Sequence, residues 1–224
     1  MRRAADGGPL TLFPEEEAAL SARAVARRRE HFTLGRMAAH AALEALGAAA
    51  APVLRGAKGE PVWPAGVVGA ITHTEGVAAA VVGDRARYAG IGVDLEPLEP
   101  GLGIRAGRLV CTPQEMAWAT APEDDPTGPD PTIRLTMLFC AKEAIFKALY
   151  PLTRVWLDFL GAELRWLPQD QAFDATLRVP VGERFPTGST LRVTCRLVER
   201  MVLATTFVAA APGSSSPPSP APAR

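Results

Sequence analysis

The chain has 224 residues with 24 Lys plus Arg against 24 Asp plus Glu, so its formal net charge is zero and no global field recruits nucleic acid or an anionic membrane. That length holds one sizeable domain or two small ones sharing a core. Three widely spaced cysteines without metal-ligand spacing, an opening stretch without an apolar signal core, and no apolar run long enough to span a bilayer point to a cytoplasmic protein with reduced thiols.

In chain order, FPEEEAALSARAVARRREHF places Pro14 in a first turn with acidic residues against the helix dipole, and the pattern predicts one helix continuing through TLGRMAAHAALEALG to a stop at Gly47. VVGAITHT, VAAAVVG and AGIGVDLE then predict a three-stranded antiparallel meander. The second half repeats the order. CTPQEMAW reads as a helix capped by Thr112, with Pro113 at its first position and Glu115 closing a capping box. After the turn-rich APEDDPTGPDP comes a helix from about Pro131 to Leu149. Four strand candidates follow: FLGAELRWL, AFDATLRV, LRVTCRLVE and MVLATTFVA.

The halves echo each other locally. FPEEEA at Phe13–Ala18 matches TPQEMA at Thr112–Ala117, and FTLGRMAAHAAL at Phe32–Leu43 matches LFCAKEAIFKAL at Leu138–Leu149, which sets Arg36 opposite Lys142. The expectation is an α+β protein of two similar halves, residues 1–105 and 106–212, each with helices packed on a small antiparallel sheet. The Pro/Ser-rich tail, 213–224, is expected to be disordered.

Chemistry concentrates in a few segments. In IGVDLEP, alternation puts Asp94 and Glu96 on one strand face, roughly 7 Å apart, just before Pro97 ends the ladder. Such a pair needs a cation or else sits in water. Only three basic residues are lysines, Lys58, Lys142 and Lys147, and two of them flank Glu143 on the FCAKEAIFKALYP helix among Phe139, Phe146 and Tyr150. Glu143 and Lys147 make an ordinary i,i+4 pair, yet a helix facing a metal and a polyphosphate would need this mixture. Lys58 tips the Gly/Pro loop RGAKGEPVWPAG, His73 follows a strand between threonines, and Arg28 and Arg36 lie eight apart on the first long helix. A turn, a structural histidine and a solvated face are the plain readings. Together, the segments describe a magnesium-dependent site for a polyphosphorylated ligand.

FTLGRMAAHAAL, GAKGEPVWPAGVVGAITHTEGVAAAVV, IGVDLEP and FCAKEAIFKALYP, in this order over most of residues 13–150, resemble the larger monomeric 4'-phosphopantetheinyl transferases, near the surfactin- and enterobactin-synthase-associated branch. The resemblance implies two pseudo-two-fold-related halves with coenzyme A in the cleft between them. It implies Mg²⁺ on Asp94, Glu96 and Glu143, and coenzyme A contacts from Arg28, Arg36, Lys58, Gly59, Glu60, Pro61, Thr72, His73, Lys142 and Lys147. Glu143 and Lys147 would be catalytic. The partners implied are acyl or peptidyl carrier proteins of secondary metabolism, in siderophore or polyketide synthesis, served by a monomer. Ala70, Thr72 and Cys140 stand where related sequences often carry serine. A Mg²⁺-dependent nucleotide hydrolase would use a water acceptor, although the chain has no P-loop or kinase motif, and a coenzyme A sensor would need no third carboxylate.

Overall fold

The computed structural model describes residues 1–3, 11–20, 25–122 and 129–211. The 213–224 tail and most of the APEDDPTGPDP loop lie outside these residues. Among them the chain runs β1 (Arg2–Arg3), α1 (Pro14–Ala18), α2 (Ala26–Leu46), β2 (Leu54–Arg55), β3 (Pro61–Val62), β4 (Val67–Thr74), β5 (Val77–Asp84) and β6 (Tyr88–Pro97). It continues through α3 (Ile104–Val110), α4 (Pro113–Ala119), α5 (Pro131–Thr153), β7 (Ala162–Leu167), β8 (Ala172–Leu177), β9 (Thr190–Val198) and β10 (Met201–Ala209). The class is α+β, with small antiparallel sheets.

The single helix expected from Pro14 to Gly47 is two. The Glu16 side chain turns back to accept from Phe13 N at 3.0 Å, and its other oxygen accepts from Val53 N at 2.7 Å and bonds His40 Nε2 at 2.9 Å. This fully buried carboxylate fixes α1 against the flank of α2, so the two cannot share an axis. The break shows at Val25, which is extended (φ −63°, ψ 152°). At its far end α2 stops as expected at Gly47, whose φ of 76° favours glycine. Leu34, Ala38, Ala39 and Leu43 bury the stripe that packs on β4 and β5.

The expected meander is also corrected. β4 and β5 form a hairpin in register from Val67↔Asp84 to Thr74↔Val77, with Gly76 at φ 68° in its two-residue turn. β6 does not add to it. β6 pairs antiparallel with β10, from Met201↔Pro97 to Ala209↔Tyr88, as the edge of a five-stranded sheet ordered β6-β10-β9-β8-β7. The reason lies in its two faces. Ile91, Val93 and Leu95 are buried at 0–1% exposure, and on the other face Gly90 and Gly92 meet the backbone of α5.

α5 is the central helix. It is buried nearly all round, as expected of a helix enclosed by a sheet on one side and other helices on the other. Asp130 caps it by accepting from Thr132 N at 2.8 Å, and it runs past the expected Leu149, through Pro151, to a left-handed Arg154 at φ 58°. α4 carries the expected capping box: Glu115 N donates to Thr112 Oγ1 at 3.3 Å and Thr112 N to Glu115 Oε2 at 2.6 Å. α3 has no side-chain cap and was not legible in the sequence.

A Cβ on Gly92 would lie 1.8 Å from Ala144 O, with no flexible side chain to yield. Gly92→Ala therefore forces α5 off β6, and chemical denaturation should show a loss of about 3 kcal/mol or more. Unchanged stability would mean that the contact is looser than described.

Candidate active site

β4 and β6, each the edge of its own sheet, lie against one another, and α5 packs across β6. Strand alternation directs Asp94 to the same face as Gly90 and Gly92, towards α5. There Asp94 Oδ1 accepts from Lys147 Nζ at 2.6 Å and from Thr72 Oγ1 at 2.9 Å, and Lys147 Nζ also reaches Thr72 Oγ1 at 3.1 Å. Asp94 is 3% exposed; its Oδ2 is buried without a nitrogen or oxygen partner, and the buried Cys140 thiol stands against the carboxylate. A carboxylate oxygen with so weak a partner keeps capacity for a cation or a stronger donor.

Two more carboxyl groups join this one electrostatically. Burial first, then Asp94 and Glu143 against the opposing Lys147, push Glu96 up to about 7. Burial likewise raises Glu143, with Asp94 adding to it and Lys147 opposing. Among the described residues no three His, Cys, Asp or Glu side chains stand as a ready cation cage. The donor chemistry nevertheless fits a hard divalent cation: all-oxygen ligands, one buried oxygen without a nitrogen or oxygen partner, and acids whose mutual repulsion a cation would relieve.

Two cavities adjoin this cluster. One, of about 500 Å³, is lined by Arg27, Arg28, His31, Phe32, Arg36, Arg55, Gly59 and His73. Arg36 is 6% exposed, lies over the Phe32 ring at 4.4 Å and keeps its Nε buried without a partner. Burial pushes its pKa down, with Glu16 opposing. The second cavity, of about 490 Å³, shares Gly59 and is lined by Lys58, Glu60, Pro61, Ala70, Lys147, Tyr150, Arg154 and Trp156, among others. The sequence-predicted Arg28, Arg36, Gly59 and His73 thus meet in one cavity, and Lys58, Gly59, Glu60, Pro61 and Lys147 in the other. Thr72 stands beneath them at the Asp94 joint.

Lys142 does not belong with them, which corrects the expectation of a phosphate contact. Its Nζ is buried among Val110 O (2.9 Å), Glu115 Oε2 (2.8 Å), Phe159 O (2.8 Å) and Ala162 O (2.9 Å). An ammonium has three donors, so these four acceptors leave none for a ligand. Glu60 lines the second cavity, and its carboxylate accepts from Lys58 N at 3.0 Å and pairs with Arg154, which pins the loop across to the end of α5. Sequence reasoning missed Arg55, His31 and Arg154. Arg55 opens the quoted RGAKGEP loop and could have been found there, whereas Arg154 is positioned only by the left-handed end of α5.

The 4'-phosphopantetheinyl transferase N-terminal domain matches residues 15–83, and the 4'-phosphopantetheinyl transferase superfamily matches residues 90–178. The chain belongs to that superfamily and is an enzyme of the phosphopantetheine-transferring class. The gap between the two matches falls where β6 leaves the hairpin for the other sheet. The 4'-phosphopantetheinyl transferase Svp of Streptomyces mobaraensis is 42% identical over 174 residues, covering 77% of this chain and 68% of Svp. PptT of Mycobacterium tuberculosis is 44% identical over 158 residues, covering 69% of this chain and 65% of PptT. Npt of Nocardia iowensis is 37% identical over 169 residues, 74% of this chain and 71% of Npt. The matched stretch spans about two thirds of these relatives' length. No described helix is long and apolar enough to cross a membrane.

Lys142→Met strips a buried carboxylate of its cation, and denaturation should show a loss of about 3–5 kcal/mol with the KM for donor substrate little changed in the folded fraction. A raised KM at unchanged stability would restore Lys142 to the ligand. Glu96 supplies a pH test in chelator-treated protein. Its folded pKa of about 7 exceeds the ordinary 4.5, so the folded state binds more protons between these values and stability falls as pH rises through that window. Glu96→Gln removes the penalty. It should stabilise the protein by about 1–2 kcal/mol at pH 8, after solvent screening is allowed for, and by nothing near pH 4.5. A benefit at low pH only would contradict the raised pKa.

Proposed function

We propose that this enzyme transfers the 4'-phosphopantetheine arm of coenzyme A to a serine of an acyl or peptidyl carrier protein and releases adenosine 3',5'-bisphosphate. The observation that carries the reading is a continuous route. It starts at the cationic cavity of Arg28, Arg36, Arg55 and His73, passes through Gly59, and reaches Lys147, whose Nζ bonds Asp94 Oδ1. A nucleotide with several phosphates suits the first part, and a pyrophosphate meeting a cation suits the second.

In the reaction the serine oxygen attacks the phosphorus that bears the pantetheine. A new P–O bond forms, and the bond from that phosphorus to the bridging oxygen breaks. The bridging oxygen leaves on the adenosine bisphosphate, and the serine proton is taken up by Glu143. Burial raises the Glu143 pKa, with Asp94 adding to it, so its carboxylate is a stronger base than a solvent-exposed one. Lys147, held by Asp94 and Thr72, neutralises charge at the phosphates. A divalent cation such as Mg²⁺, held by Asp94, Glu96 and Glu143, would supply charge neutralisation at the pyrophosphate linkage being cleaved and on the adenosine bisphosphate that leaves. We read residues 1–105 and 106–212 as pseudo-two-fold-related halves with the ligand cleft between them. On that reading both halves of the cleft are in one chain, which suits a cytoplasmic monomer.

The test is intact-mass measurement of an apo peptidyl carrier protein incubated with coenzyme A, Mg²⁺ and the enzyme. The carrier should gain one phosphopantetheine, lose that gain with chelator, and gain nothing when its serine is alanine. Glu143→Gln should lower kcat by about 10²–10⁴-fold. Coenzyme A binding without transfer to any of several carriers would overturn the proposal.

A further inference from the structure

On α2, Arg28, His31, Phe32 and Arg36 recur at the three- and four-residue spacings that put side chains on one face, and all four line the 500 Å³ cavity. His31 is half-buried there. Its ring lies against that of His73 from β4, with centroids 4.6 Å apart and planes 36° apart. Arg27, Arg28, Arg36 and Arg55 also line the cavity, and no carboxylate is among its described lining residues. The Nε of the nearly buried Arg36 has no partner.

This charge exceeds what a pyrophosphate needs. A pyrophosphate linking two alcohols carries about one negative charge per phosphorus, and in the preceding reading it sits beside Lys147 and Asp94. Four guanidiniums gathered in the neighbouring cavity are matched instead to a phosphate monoester, which carries about −1.5 to −2 near neutrality and three strong acceptor oxygens. Guanidinium forks and imidazole N–H groups both donate to such oxygens. Burial of the His73 ring first, then His31 and Lys147, hold His73 below its usual pKa, with Asp94 opposing. The histidine pair can therefore stand in contact without the repulsion of two full charges.

We propose that His31 is a specificity-determining residue: stacked on His73, its imidazole donates to the terminal phosphate monoester of the nucleotide and selects coenzyme A over 3'-dephospho-coenzyme A. This inference rests on the transferase reading above, and the experiment separates the two. Wild type, His31→Ala and His31→Phe are compared with both donors, by carrier-mass turnover and by calorimetric binding of each donor in chelator. In His31→Phe a flat ring remains to stack on His73 but carries no nitrogen. Both variants should lose about tenfold in their preference for coenzyme A, the size of one charge-assisted hydrogen bond, with kcat/KM for dephospho-coenzyme A unchanged. An unchanged preference, an equal loss on both donors, or full recovery in His31→Phe would overturn the role and leave His31 as packing. If wild type transfers from neither donor, the transferase reading fails, and the ratio of binding affinities alone decides the role of His31.

Discussion

The approach of α5 to β6 is the constraint on which the site depends. Helix and strand backbones come this close only because Gly90 and Gly92 carry no side chain on the face turned towards Ala144 and Ala148. Two residues further along that same face is Asp94, and one turn beyond Ala144 on the helix side stands Lys147. A side chain at Gly92 would lengthen the reach between the two, whereas the present spacing leaves a 2.6 Å ion pair. The alternation that removes bulk from positions 90 and 92 also aims the carboxylates of positions 94 and 96 into the gap, so packing and chemistry are set by one strand face.

Electrostatics then makes the gap reactive. One oxygen of Asp94 is satisfied by Lys147 and Thr72 and the other is not, so the carboxylate is held in place while part of its capacity stays unspent. Holding three acids near one lysine costs stability, seen in the upward shifts of Glu96 and Glu143. Stability spent in this way at a ligand site is expected where a bound cation or phosphate recovers it.

Much of this was legible in the sequence where the signal is local. Thr112, Pro113 and Glu115 form a capping box because all the participants lie within four residues, and Gly47 ends α2 for an equally local reason. Alternation placed Asp94 and Glu96 on one face, as required for their mutual effect on Glu96. The rest depended on distant partners. Nothing near AGIGVDLE says that β6 pairs with a strand more than a hundred residues later. The break between α1 and α2 comes from Glu16 meeting Val53 N, 37 residues away, which helix propensity does not register. Glu60 was read with its loop because sequence proximity to Lys58 is visible and the partnership with Arg154, 94 residues on, is not.

The scarcity of lysine shows why residue type and residue role must be argued separately. Lys142 and Lys147 are five apart on α5, so they point to different sides of one helix. On one side four oxygens surround the Lys142 Nζ at 2.8–2.9 Å, a pocket that suits a compact ammonium and not a planar guanidinium with its fixed fork. On the other side Lys147 must bridge a threonine hydroxyl and a carboxylate while keeping access to a cavity, which a small rotatable head allows. The local echo sharpens the point. Glu16 and Glu115 occupy equivalent places in FPEEEA and TPQEMA; both are buried, both turn back to cap their own helix, and both accept from a distant backbone N–H. Glu115 takes its cation from Lys142, whereas Glu16 bonds His40 and leaves the matching position, Arg36, with an unpaired Nε at the cationic cavity. The same position of the echoed helix segment is a structural pin in one half and a lining residue of the cationic cavity in the other, the difference resting on which side chain meets the buried glutamate.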